Sequence, residues 1–306
     1  MYDVIVIGGG AAGMTAALYA LRNGKTALVI EKEGFGGQIT HSPKVENYPG
    51  TLSMSGAEFA DRLLEQILNQ GAEIELARVT GISREGDSLA VLTEDGGRFE
   101  GRTAVIATGV KHRMLGLDGE EELIGEGISF CAVCDGDFYA GKRVCVAGGG
   151  NSGLQEAMLL SEKCAEVTVL QDLPRCTGEE RLQSALFSRP NVKAICGVTV
   201  EALVRRDGAL AGVEVCHSAT GQRETVPCDG LFVAIGLIPE NGAFADQAAL
   251  DAAGYFDADE RCLTATPGVF VAGDCRRKTV RQLTTAVADG ATAALAACRY
   301  IDEGRS

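Results

Sequence analysis

A chain of 306 residues with 28 Lys and Arg against 42 Asp and Glu carries a net charge of −14, which opposes nonspecific binding to nucleic acid and to anionic membranes. The length suits about two domains, each able to bury its own core, and no apolar run approaches the roughly 18 residues a spanning helix needs. Eleven cysteines, mostly set among apolar residues as in Val144-Cys145-Val146, suit a reducing cytoplasm in which cysteine serves as a small hydrophobe.

Met1 to Ile7 lacks the basic start of a signal peptide and reads as a first strand. Its β-branched part, Val4 to Ile7, enters Gly8-x-Gly10-x-x-Gly13, and a helix is expected over Met14 to Leu21. Glycines at that spacing permit a tight turn, close approach of the backbone to a pyrophosphate and close helix packing, while the helix N-terminus supplies N–H donors. A second strand, Ala27 to Ile30, ends at Glu31, where an acceptor for a ribose 2′-hydroxyl belongs. The segments Gly34 to Gln38 and Val45 to Gly50 read as loops, Ala57 to Asn69 as a helix, and Glu73 to Phe99 as short strands parted by Gly-Asp and Asp-Gly-Gly turns. A separate buried strand is expected at Ala104 to Ala107, closing on Thr108-Gly109.

Cys131-Ala132-Val133-Cys134-Asp135 follows. A Cys-x-x-Cys within an α/β pattern reads as a dithiol that opens and closes during turnover. A zinc site needs about four ligands, and there is neither a second Cys-x-x-Cys nor a His pair at metal spacing, so no metal is expected. The opening pattern then restarts: a strand from Lys142 enters Gly148-x-Gly150-x-x-Gly153, a helix covers Leu154 to Lys163, and the strand Val167 to Leu170 ends at Gln171. Gly8, Gly10, Gly13 and Glu31 recur 140 positions later as Gly148, Gly150, Gly153 and Gln171, so the α/β chain holds two Rossmann-like dinucleotide-binding units. Short strands between Val198 and Val226, a buried strand from Leu231 to Ile235, a last strand from Val269 into Gly273-Asp274, and a helix from Gln282 to Ile301 complete the pattern.

These motifs together resemble the low-molecular-weight thioredoxin reductases. The resemblance is carried by Gly8-Gly9-Gly10-Ala11-Ala12-Gly13, Gly36-Gly37-Gln38, Val45-Glu46-Asn47-Tyr48-Pro49-Gly50, Ala107-Thr108-Gly109, Cys131 to Gly136, Gly148-Gly149-Gly150-Asn151-Ser152-Gly153, Ala272-Gly273-Asp274 and Arg281-Gln282. It implies an FAD domain of residues 1–113 and 241–306, interrupted by an NAD(P)H domain of residues 114–240 that carries the redox pair. By the same resemblance Glu31, Gln38, Asn47, Asp274 and Gln282 contact FAD, Cys134 faces the flavin, Cys131 attacks a partner's disulfide, and Asp135 is the acid/base. The family works as homodimers, takes thioredoxin or a thioredoxin-like protein as partner, and rotates its nicotinamide domain; Gly109–Gly116 and Gly236–Gly242 are the hinge candidates.

The sequence departs from the family at Asp137, where a second Phe is usual, and in the second fingerprint, which is closer to the flavoprotein subunit of alkyl hydroperoxide reductase. The basic cluster for a 2′-phosphate is replaced by Gln171-Asp172-Leu173-Pro174-Arg175, which favours NADH over NADPH. Open alternatives are a reductase of a peroxiredoxin or other small dithiol protein, a ferredoxin- or flavodoxin-dependent variant, and a flavin-bound redox sensor. With the first strand at the start of the chain, any dithiol carrier is expected to be a separate protein.

Overall fold

The structure, a computed structural model, describes residues 1–42, 45–86 and 88–304, so Asp87 of the expected Gly-Asp turn lies outside the described residues. Packing divides the chain into two compact units, residues 1–111 with 238–306, and residues 112–237.

In the first unit β1 (Tyr2–Ile7) turns into α1 (Ala11–Arg22) and returns as β2 (Ala27–Glu31). Next comes α2 (Gly56–Asn69), whose buried face repeats every four residues at Phe59, Leu63 and Ile67, and whose N-cap Ser55 accepts from the N–H of Glu58. β3 (Glu73–Leu76) extends the parallel sheet, and β4 (Val79–Glu85), β5 (Ser88–Thr93) and β6 (Arg98–Ile106) form an antiparallel meander. The sheet order is β3-β2-β1-β6-β5-β4. The strand expected at 104–107 is the far half of β6. Its first half alternates in burial at the meander, while Thr103 to Ile106 are all buried because that half pairs with β1 inside the parallel sheet.

The chain leaves through β7 (Lys111–His112). The second unit runs β8 (Ile128–Ser129), α3 (Ala132–Asp135), β9 (Arg143–Ala147), α4 (Asn151–Ser161), β10 (Glu166–Gln171), α5 (Glu180–Phe187) and β11 (Val192–Cys196). It continues as β12 (Val198–Arg206), β13 (Ala209–His217), β14 (Arg223–Pro227) and β15 (Gly230–Val233). Five strands form a parallel sheet in the order β11-β10-β9-β15-β8, and β12-β13-β14 form a separate antiparallel sheet. The chain returns through β16 (Leu237–Ile238), which pairs with β7.

Back in the first unit, β17 (Val269–Val271) pairs parallel to β6, and α6 (Leu283–Asp302) ends the fold. α1 is buried on nearly every side because it lies against both β1 and α6. The two helices meet so closely that a β-carbon on Gly290 would fall 2.1 Å from the carbonyl oxygen of Ala12, which explains the small residues Ala293, Ala294 and Ala297 on the buried face of α6.

Candidate functional site

The first unit builds a tight glycine turn at the end of β1. Gly8 has φ +109°, and a β-carbon there would lie 2.3 Å from the carbonyl oxygen of Ala107. A β-carbon on Gly13 would lie 1.9 Å from the carbonyl oxygen of Gly8, so this glycine, inside the helix, lets α1 begin at Ala11 and press onto the turn. Gly10 caps α1 with no side-chain hydrogen bond, leaving first-turn N–H groups such as that of Ala12 without a partner inside the helix. Gly9 donates to Oε2 of Glu31 at 2.6 Å, and the N–H groups of Lys32 and Glu33 donate to Oε1 at 2.8 and 3.0 Å. The buried carboxylate at the end of β2 is thereby fixed beside the turn.

Other expected residues gather around this turn. Gly37 opens a 3-10 turn that places Gln38 on the surface, and its neighbour Gly36 donates to the carbonyl of Gly9 at 2.8 Å. Gly273, at φ +82°, packs against Ala12 and donates to Asp289 at 3.1 Å. Asn47 donates to the side-chain oxygen of Gln282 at 3.2 Å, and Gln282 forms a capping box with Thr285 at the start of α6. Thr108 donates to Asn241 at 2.9 Å beside Gly109, which has φ +66°. Arg281 is spent on the loop itself: its guanidinium donates to the carbonyls of Asp274, Lys278 and Arg276 and lies 4.3 Å over the ring of Tyr255.

Asp274 has spare accepting capacity. Its Oδ1 is buried and accepts no hydrogen bond; burial raises its carboxyl, an effect opposed by the ammonium of Lys278 3.6 Å away. A buried acceptor with no hydrogen bond, near a turn that carries no side chain at Gly8, Gly9 and Gly10, fits a dinucleotide whose hydroxyls donate and whose phosphates accept. The sequence reading missed the charges behind this site. Arg276, only 1% exposed, pairs in a fork with Asp289 at 2.9 and 2.8 Å, and Lys278 reaches the same carboxylate at 3.0 Å. These residues look like surface charges in the sequence, and only the packing of the loop on α6 brings them inside.

The second unit repeats this turn at the end of β9. Gly148 has φ +119° and would clash with the carbonyl of Ala234, while a β-carbon on Gly153 would lie 1.9 Å from the carbonyl oxygen of Gly148. Gln171 ends β10 and accepts from Gly149 at 2.8 Å, the counterpart of Glu31 and Gly9. Gly150 caps α4 without a side chain, Asn151 accepts from the N–H of Glu179 at 2.7 Å, and Ser152 is exposed. Asp172 and Leu173 follow Gln171 as exposed residues.

In the same unit Cys131 and Cys134 form a disulfide, with Cα atoms 5.3 Å apart. Cys131 caps α3, and the N–H of Cys134 donates to its sulfur at 3.2 Å. The N–H of Cys131 donates to the hydroxyl of Ser129 at 3.1 Å, and that hydroxyl donates to Oδ2 of Asp135 at 2.6 Å. The other oxygen of Asp135 is buried and without a partner; burial raises this carboxyl, and the Ser129 bond partly offsets the rise. Glu156 on α4, which ends the second fingerprint but has no role assigned from the sequence, accepts from the N–H of Ala132, and burial pushes its carboxyl up to about 7. Asp137 pairs with Lys163 at 2.6 Å. Cys262 and Cys275 are buried thiols raised by burial to about 12 and about 11, which makes them poor nucleophiles. Among the described residues no group of His, Cys, Asp and Glu is arranged to hold a metal ion, and no helix is long and apolar enough to cross a membrane.

Residues 2–290 match the sequence profile of the pyridine nucleotide-disulphide oxidoreductases. The chain is 38% identical over 303 residues to the thioredoxin reductase of Listeria monocytogenes, covering 99% of this chain and 95% of that one. Its identity to the thioredoxin reductase of Bacillus subtilis is 34% over 303 residues, with 99% and 96% covered. The crystal structure of thioredoxin reductase from Streptococcus pyogenes superposes with a TM-score of 0.93 at 37% identity, over 99% of both chains.

Proposed function

The chain belongs to the pyridine nucleotide-disulphide oxidoreductase family, and from that premise we propose that it is an FAD-dependent thioredoxin-disulfide reductase. The observation that carries the reading is the Cys131–Cys134 disulfide, beside a buried carboxyl with a raised pKa and in the same unit as an intact nucleotide fingerprint. The domain of residues 1–113 and 241–306 holds FAD, through the turn Gly8 to Gly13, Glu31 and Asp274, and the domain of residues 114–240 holds the nicotinamide nucleotide, through Gly148 to Gly153 and Gln171. When bound, FAD supplies a carrier that accepts a hydride and passes on two electrons.

The protein's own residues manage sulfur and protons. Once the pair is reduced, Cys131 attacks the disulfide of thioredoxin, and Cys134 resolves the mixed disulfide. Asp135, kept protonated more readily by burial and oriented by Ser129, donates a proton to the departing thiolate. The enzyme works as a homodimer in the cytoplasm, with thioredoxin as its substrate.

Its preferred donor is NADH. Gln171 still offers an amide to a ribose hydroxyl, whereas Asp172, exposed at the end of β10, repels a 2′-phosphate, and no cation stands before Arg175. Even a fraction of the roughly 4 kcal/mol that like charges exert at about 4 Å and an effective dielectric of about 20 is worth about tenfold in affinity. Steady-state reduction of thioredoxin with each nucleotide tests the proposal: kcat/KM is expected to be about tenfold higher for NADH. Cys131→Ser and Cys134→Ser are each expected to abolish thioredoxin reduction while flavin reduction by NADH persists. Wild-type turnover in either variant would falsify the assignment, and a higher kcat/KM with NADPH would remove the nucleotide preference alone.

A further inference from the structure

Disulfide exchange as described above uses one carboxyl, yet two are hydrogen-bonded into the segment that carries the redox pair. Glu156 projects from the second turn of α4 and accepts from the N–H of Ala132, the first peptide after Cys131. The backbone at Cys131 is therefore tied to both acids: its own N–H leads through Ser129 to Asp135, and the next N–H leads to Glu156. The elements on both sides of this bond belong to one apolar core: Ala132 of α3 clusters with Leu154, Ala157 and Leu160 of α4 and Val146 of β9. The residues one helical turn from Glu156 on α4, namely Ser152, Gly153, Leu159 and Leu160, are uncharged.

The titratable groups beside this site are Asp135 from α3, whose charge raises the Glu156 carboxyl, Tyr139 after α3, which in turn feels Asp135, and the two redox cysteines. Cys164 and Cys176 in the same cluster are held as neutral thiols by burial, at about 11, while Glu180 and Arg181 of α5 are exposed to solvent.

We propose that Glu156 is a second proton-holding carboxyl of the redox centre, which takes up a proton when the Cys131–Cys134 disulfide is reduced and gives it back when the pair is reoxidised. The inference rests on the pair being the redox centre of the proposed reductase. Reduction by two electrons breaks the sulfur–sulfur bond and leaves two sulfur anions. One takes a proton and becomes a thiol, the other stays a thiolate, and Glu156 takes a second proton from solvent. Two electrons and two protons enter, so the net charge of the partly buried centre does not change. The cause is electrostatic: an ionised Glu156 beside a new thiolate puts two negative charges in poor solvent, and the acid yields first. Burial already holds this carboxyl at about 7, so near neutrality it is poised to respond.

The experiment measures the equilibrium of the FAD-loaded enzyme's redox pair with dithiothreitol between about pH 6 and about pH 9, for wild type and Glu156→Gln. Above about pH 7 the ratio of wild-type to variant exchange constants is expected to fall by up to about tenfold per pH unit, since only the wild type takes up the extra proton. A ratio that stays flat overturns the proposal. Should Glu156→Gln not fold, the Asp135→Asn holoenzyme serves instead: its reduced-minus-oxidised infrared difference spectrum must gain a protonated-carboxyl band, and absence of that band overturns the proposal. A wild-type pair that dithiothreitol cannot reduce removes the reductase reading and this inference together. A pair that cycles with parallel pH profiles removes this inference alone.

Discussion

Two carboxyls near the disulfide, Asp135 buried and Glu156 half-buried, lie in surroundings that disfavour their charged forms, and this also affects stability. For Glu156 the folded value of about 7 lies above the ordinary 4.5. A group raised in the folded state contributes its full stability below the unfolded value and loses it as pH rises through the folded one. Between about pH 4.5 and about pH 7 the fold therefore loses on the order of 3 kcal/mol at this residue. Glu156→Gln keeps an acceptor for the N–H of Ala132 but does not ionise. Its melting temperature is expected to match the wild type near about pH 4 and to exceed it by several degrees near about pH 8. Calorimetry at the two pH values checks this, and a less stable variant at the higher pH would contradict the burial argument. The redox pair and Asp135 stand out in the sequence because their spacing is itself the signal. Glu156 does not, since its meeting with Ala132 joins residues 24 apart through the packing of α3 on α4.

At the scale of elements, the strand-glycine-helix turn occurs twice with nearly the same geometry. Gly13 and Gly153 each sit inside a helix, at a point where a β-carbon would fall 1.9 Å from a carbonyl oxygen of the turn. Because that atom is backbone, the helix itself has to move, at a cost of about 1–3 kcal/mol or more. Gly13→Ala is expected to purify with less than half of its flavin, read from the absorbance of the folded protein. Gly153→Ala should keep its flavin and bind NADH at least about tenfold more weakly. Equal flavin loss in both variants would mean that the two turns do not serve separate nucleotides. The sequence shows the turns but places each helix start three residues late, since glycine lowers helix propensity and its packing role appears only when Gly8 or Gly148 is seen opposite. It also leaves out α5 and β11, short elements whose faces are only partly buried.

For the whole molecule, each unit closes its own cores. Residues such as Val4, Met14, Phe270 and Ala294 pack in the first unit, and Val144, Leu160, Val169 and Phe232 pack in the second. Two such units are expected to unfold in separate steps, with each nucleotide stabilising only the unit that binds it. NADH at about 100 times its dissociation constant should stabilise residues 112–237 by about 2.7 kcal/mol and leave the flavin-releasing transition in place. Scanning calorimetry with flavin fluorescence followed in parallel distinguishes the steps; a single transition that NADH shifts as a whole would contradict independent cores.

The α/β class, the repeated nucleotide fingerprint and the redox pair were all legible in the sequence, because each depends on residues a few positions apart. A β-branched run stiffens into a strand, a glycine opens a turn, and two cysteines with two residues between them reach one another without help from the rest of the fold. Tertiary structure alone decided that β6 runs unbroken from Arg98 to Ile106, that Arg276 and Lys278 converge on Asp289, and that Glu156 accepts from the peptide next to Cys131. The physical reason is that a sequence specifies which groups ionise but not how much water surrounds them. Burial sets the raised carboxyls of Asp135, Glu156 and Asp274, and burial is a property of the packed chain.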